Sequence, residues 1–106
     1  MTGVRVQAAA AHRIDEIYRH TCETWGDAQA ERYIRDLFAR FEDIAARRFP
    51  WRPIPAAFGV EGYVCRYERN VIYWKVLANG DIGVVTVLHE RMHQIEGFRD
   101  DFGFGF

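Results

Sequence analysis

The residues with the most evident capacity for chemistry lie in 88-LHERMH-93, which spells His89-Glu90-x-x-His93. On a helix, two histidines four apart lie on one face and bind zinc through their imidazoles. The glutamate between them then serves as general base on a metal-bound water. Thr86, Val87, Met92 and Ile95 suit the usual surroundings of that motif, whereas Arg91 fills a slot that is normally buried. Stronger objections come from context. Val84, Val85, Thr86 and Val87 precede the motif directly and predict a strand, so His89 is expected at a strand end and not within a helix. A catalytic zinc also needs a third protein ligand. The extended motif would put glycine and a ligand where Glu96 and Arg99 stand; Gly97 and Asp100 each come one residue late. One residue turns a helical position by about 100°, off the ligand face. A chain of 106 residues also leaves little material for both a cleft and a core. No metal or other cofactor is expected.

The elements that position this string can be read around it. The sequence predicts one domain over 1–106, with 97–106 a Phe/Gly tail. A hydrophobic share of 49% with 15% aromatics fits a packed globular chain. The formal net charge of −1 gives no drive toward nucleic acid or anionic membrane. No apolar run approaches the ~20 residues of a membrane span, and no signal-peptide pattern opens the chain. Cys22 and Cys65 fall inside regular elements and read as buried free thiols of a reducing compartment.

A short first strand is expected at residues 4–8. A helix follows at about 10–25, with an apolar stripe of Ile14, Ile17, Tyr18, Thr21, Cys22 and Trp25. Gly26 ends it, and Asp27 is the expected N-cap of a second helix at about 27–48. The second stripe runs through Ala30, Tyr33, Ile34, Leu37, Phe38, Phe41, Ile44 and Ala45. A link this short makes the two helices an antiparallel hairpin. Neither stripe is fully buried by the other, so the pair needs a sheet or a partner. Pro50, Pro53 and Pro55 then impose an irregular, extended connection. Three strands follow, at 62–68, 71–77 and 82–88. A tight turn at Arg69-Asn70 joins the first two, and Asn79-Gly80 predicts a type I′ turn between the others. The expected architecture is α+β: an N-terminal strand, a helical hairpin and a three-stranded antiparallel meander, about four strands in one sheet.

This order, with Trp25-Gly26-Asp27 at the hairpin turn and VLHERMH at the close, resembles the RelE/ParE superfamily. The matching stretches are 23-ETWGDAQAERYI-34, 66-RYERNVIYWKV-76 and 79-NGDIGVVTVLHERMH-93. The likeness covers about residues 4–96 and is nearest to the ParE branch. It implies the toxin half of a bacterial, cytoplasmic type II toxin–antitoxin pair. Such a toxin would poison DNA gyrase by binding, with no catalytic residues of its own. A ParD-like antitoxin of the ribbon-helix-helix type would neutralise it, forming a hetero-oligomer by laying a flexible C-terminal segment along the hairpin and sheet.

The alternative within the superfamily is the RelE-like activity, cleavage of mRNA on the ribosome. That chemistry needs cations to hold phosphate and groups for acid–base work. Arg91, His93 and Arg66 are the candidates here. The slight acidity of the chain argues against this use, as does aliphatic Val71-Ile72 where the nuclease branch carries a functional arginine.

Partner contacts are expected on three surfaces. The first is the hairpin stripe, through Ile14, Tyr18, Trp25, Phe38 and Phe41, because an uncovered apolar groove takes an amphipathic helix. The second is Trp51 with Arg47 and Arg48; arginine mixed with tryptophan is interface chemistry, although basic groups near a helix C-terminus also complement its dipole. The third is the close of the sheet and the tail, through Arg91, Met92, Phe98, Phe102, Phe104 and Phe106. Exposed phenylalanines invite association, so the tail is expected to dock on an antitoxin, a second copy or its own sheet edge.

Overall fold

A computed structural model describes residues 2–92 and 94–102. Strand β1 (Val4–Val6) leads into helix α1 (Ala8–Trp25) and helix α2 (Asp27–Ala45). Strands β2 (Arg52–Pro53), β3 (Tyr63–Tyr67), β4 (Asn70–Val76) and β5 (Ile82–His89) follow, and helix α3 (Gln94–Phe102) comes last. The sheet has five strands in the order β1-β5-β4-β3-β2. β1 runs parallel to β5, and every other pairing is antiparallel.

The expected α+β architecture is present, with additions and corrections. The proline-rich connection contributes a fifth strand of two residues, with Arg52 opposite Val64 and Pro53 opposite Tyr63. Pro53 is tolerated because this strand lies at the sheet edge. Asp27 is the first residue of α2 and makes no cap bond; Gly26, at φ 92°, serves as the cap residue on both sides of the hairpin link. The turn between β3 and β4 is Glu68-Arg69, and Asn70 already pairs with Tyr67. The later hairpin is not type I′, since only Gly80 of its Asn-Gly pair has positive φ. Instead the Gly80 N–H closes on the Leu77 carbonyl and the Leu77 N–H on that of Asp81, a longer loop ending in a left-handed glycine. The Asn79 side chain stiffens it by accepting the Asp81 N–H.

Helix α2 ends three residues before its expected close. The Arg47 N–H bonds to the Ile44 carbonyl and the Arg48 N–H to that of Asp43, with Arg47 at φ 63°. This is a Schellman cap with arginine where glycine ordinarily stands. The guanidinium of Arg47 lies 3.4 Å from the centroid of Trp51, whose indole N–H donates to the Ile44 carbonyl.

The larger surprise is a second cover on the sheet. The hairpin stripes pack on one face, where Ile14, Leu37, Phe41 and Ile44 meet Ile72, Trp74, Val84 and Val87. On the other face Ile54, Tyr73 and Leu88 are covered by Phe98 of α3 and by Phe58. The residues expected to begin a tail are therefore a helical layer. Phe98 is fully buried, with its ring 5.0 Å from Tyr73 and 5.2 Å from Phe58. Gly97 lets α3 lie close, since a Cβ there would sit 3.1 Å from a Leu88 methyl. Gln94 ties the helix down: its carboxamide donates to the His89 carbonyl and accepts the Tyr73 hydroxyl. No helix among the described residues is long and apolar enough to cross a membrane.

Candidate functional site

An open groove of about 690 Å³ lies between α1 and the end of the sheet that carries His89. Its helical wall is one face of α1, with Arg13, Glu16, Ile17, His20 and Trp25. With Thr21, these residues follow the three-and-four spacing of a helix and span about 18 Å at the helical rise of about 1.5 Å per residue. The opposite wall comes from Asn70, Val87 and His89, with Arg69, Arg91 and Met92 around them.

Strand alternation explains the polar floor. Ile72 and Val87 face the hairpin, so Asn70 and His89, two residues away on each strand and opposite one another, face it too. The Asn70 carboxamide donates to the Tyr33 hydroxyl at 2.6 Å, which leaves the tyrosine proton free to be given to another acceptor. Burial raises the pKa of Tyr33, opposed by that bond from Asn70. The Arg91 backbone N–H donates to Nδ1 of His89, so the neutral imidazole carries its proton on Nε2.

The backbone at His89 is not the helix that the zinc spelling needs. His89 is the last residue of β5 and α3 begins at Gln94, so the helical spacing the motif requires is absent from His89 onward. His93 lies outside the described residues, and among those described no group of three or more His, Cys, Asp or Glu side chains converges. Glu90 is engaged elsewhere. Arg66 donates to it directly, Arg69 stands 3.8 Å from it, and the Arg66 bond foremost holds its carboxyl below the usual carboxylate range.

Of the residues expected at partner surfaces, three are interior. Ile14 and Phe41 are core residues beneath the hairpin, and Phe98 is sealed under α3, because each faces a sheet surface that would otherwise stay wet. Trp25 is 66% exposed and Phe38 41% exposed, and both remain open to a partner. Tyr18 is half-buried and bonds Cys22, the bond that foremost raises its pKa. Trp51 is half-buried against Tyr63 and Trp74, Arg48 pairs with Asp43, and Arg91 is exposed at the groove rim. Met92 both lines the groove and packs on the second core. Neither Arg47 nor Arg48 stands in the last turn of α2. The side chain of Phe102, together with Phe104 and Phe106, lies outside the described residues. Cys22 and Cys65 are free and half-buried, and burial raises the Cys65 thiol pKa.

Sequence reasoning missed Arg13 and Asp101. They form a long-range, two-bond ion pair at the groove: Arg13 Nε to Asp101 Oδ2 at 2.7 Å, and Nη2 to Oδ1 at 3.2 Å. The hydroxyl of Thr86 donates to the same carboxylate at 2.6 Å. By helical periodicity Arg13 is a polar-face residue, and nothing in the spacing announces a partner 88 positions away.

Residues 4–94 match the family model described as "ParE toxin of type II toxin-antitoxin system, parDE". The chain belongs to the ParE toxin family. Among curated relatives it is similar to Toxin ParE1 of Mycobacterium tuberculosis, in both the CDC 1551 / Oshkosh and H37Rv strains. Each is 32% identical over 95 residues, covering 80% of this chain and 85% of the relative. Among solved structures, a chain of the chromosomal ParDE TA system from P. aeruginosa shares the fold, with a TM-score of 0.65 at 19% identity. That match covers 84% of this chain and 96% of the other. The ParE family region thus takes in both helices of the hairpin, all five strands and the LHERM string, and ends where α3 begins.

Proposed function

We propose that this ParE-type toxin acts by binding, inhibits DNA gyrase, and is neutralised by a ParD-like antitoxin whose C-terminal segment lies in the groove beside α1. The observation that carries the binding reading is the exposure of Trp25 at the open end of that groove, on an amphipathic helix whose other apolar side is already in the core. A two-thirds-exposed tryptophan beside an open groove is the kind of anchor that interfaces use. The disposition of the charged groups supports action without catalysis. Arg66 is held by Glu90, Arg13 by Asp101, and the net charge is −1. The P. aeruginosa chain of the same fold comes from a ParDE system, which supports the pairing with an antitoxin.

Purified protein is expected to lower gyrase supercoiling or to accumulate cleaved DNA, with no cutting of transcripts. Added antitoxin is expected to reverse the effect. Cleavage of mRNA in a translating extract, abolished by Arg91→Ala, would instead establish the RelE-like activity.

A further inference from the structure

Arg13 belongs to two structures at once. It lines the groove from α1, and it is the anchor of α3 through Asp101. Both groups are largely shielded, with side-chain exposures of 20% and 13%. The paired guanidinium–carboxylate contact is the geometry in which arginine recognises a carboxylate most selectively. Glu16, another acid near Arg13, lies on the same helix, 3.4 Å away and nearly half exposed. The segment that delivers Asp101 is weakly built for permanence. α3 has nine residues, holds Gly97 in its interior, and among its described side chains buries one large one fully, Phe98. A helix so short has little stability of its own.

We propose that Asp101 is an internal stand-in for a carboxylate of the groove's partner, so that α3 docking and partner binding compete for Arg13. The occupant is a peptide segment with an apolar residue at the Trp25 end and an aspartate or glutamate at the Arg13 end. Arg91 on the facing wall favours the same charge; Arg69 beside it is shared with Glu90, and Glu16 and Glu68 also line the groove. When the partner carboxylate takes Arg13, Asp101 loses two of its bonds and keeps that from Thr86. α3 is then held by Phe98 and Gln94, and opens more often. The coupling is reciprocal: whatever loosens α3 tightens the partner, and the reverse. This inference rests on the antitoxin reading above.

The test uses the full chain and the antitoxin encoded beside it, with affinity measured by calorimetry for the wild type, Asp101→Asn, Arg13→Gln and the double variant. Removing the internal competitor is expected to tighten binding about fivefold or more, the lower range of measured couplings. Arg13→Gln is expected to weaken binding, and Asp101→Asn on that background to change nothing further. Hydrogen exchange supplies a readout independent of the partner. Amides of 94–102 should exchange faster in Asp101→Asn while those of β4 stay protected, which also confirms that the variant is folded. If the wild type binds no antitoxin, the functional reading fails. If it binds and Asp101→Asn binds equally or more weakly, the stand-in proposal is wrong and the pair is a structural tie.

Discussion

Trp74 of β4 stands opposite Val84 of β5, while its neighbour Tyr73 stands opposite Thr86, so Val85 is an extra residue with no partner across the strand. This bulge sets which side chains meet the helical hairpin. Ile82 and Val84 face it before the bulge, and Val87 faces it after. Leu88 meets the second core and Thr86 reaches Asp101. A regular strand of the same sequence, with Val85 paired, would turn Thr86 to the hairpin and Val87 to α3. Deleting Val85 removes only the residue without a partner, so Thr86 stays toward Asp101, Val87 toward the hairpin and His89 opposite Asn70. The deletion is therefore expected to cost about 1.5–3 kcal/mol, the burial of one valine, while the fold is kept. A cooperative thermal transition at a lowered midpoint is the expected outcome; loss of that transition would show that β5 needs the local twist of the bulge itself.

Much of the first core was legible because its periods are local. The stripe of α2 and the β-branched run of β5 each announce a face, and most of those residues are buried; of the α1 stripe Ile14 is buried and the rest stay partly or fully exposed. The bulge was not legible, since Ile82 to Leu88 is apolar almost throughout and a one-residue slip leaves that pattern unchanged. α3 was hidden for a different reason. QIEGFRDDF holds Phe98 beside a glycine and a run of charges, which reads as a tail until a second sheet face is there to receive it. The groove was half visible: Trp25 and Arg91 were expected to meet a partner, but the long-range pairing of Arg13 with Asp101 depends on the fold.

Phe98 tests whether that last layer is structural. Its ring fills the space between Tyr73, Phe58 and Leu88 and has no exposed surface. Truncating such a ring typically costs about 3–5 kcal/mol. Because α3 is peripheral, part of this cost should appear as local opening. Phe98→Ala is expected to deprotect amides 94–102 in hydrogen exchange more strongly than those of α2, and to lower stability in denaturant by at least about 1 kcal/mol. An unchanged exchange profile would mean that α3 is held by its polar ties alone.

Gly62 precedes β3 where the chain passes close under Trp74. A Cβ there would sit 2.9 Å from the Trp74 carbonyl oxygen and 2.8 Å from the Ile54 Cδ1 methyl. The methyl belongs to a side chain that can turn, but the carbonyl belongs to the sheet. Gly62→Ala is thus expected to destabilise by about 1–3 kcal/mol, the usual range for forced overpacking. Gly59, at φ 76° with open space around it, offers a contrast: alanine there meets only the left-handed backbone penalty. A smaller loss at Gly62 than at Gly59, measured by urea denaturation, would contradict the close approach.

The alkaline limit of stability should be set by two buried phenols. Desolvation foremost pushes Tyr67 up to about 12, with Tyr33 and nearby carboxylates adding to it, and pushes Tyr73 up to about 12 through burial alone. An unfolded tyrosine titrates near 10. The folded protein then holds more protons than the unfolded chain between these values, so stability falls as pH rises through that window and is fully present below it. Tyr73→Phe keeps the ring in the second core but gives up the bond to Gln94. It is expected to lose some stability at pH 7 and to show a shallower decline between pH ~10 and ~12 than the wild type. Spectrophotometric titration is the direct check: Tyr67 and Tyr73 should resist ionisation until the fold itself gives way. Titration of these two near pH ~10 with the far-ultraviolet signal intact would show that neither phenol is shielded.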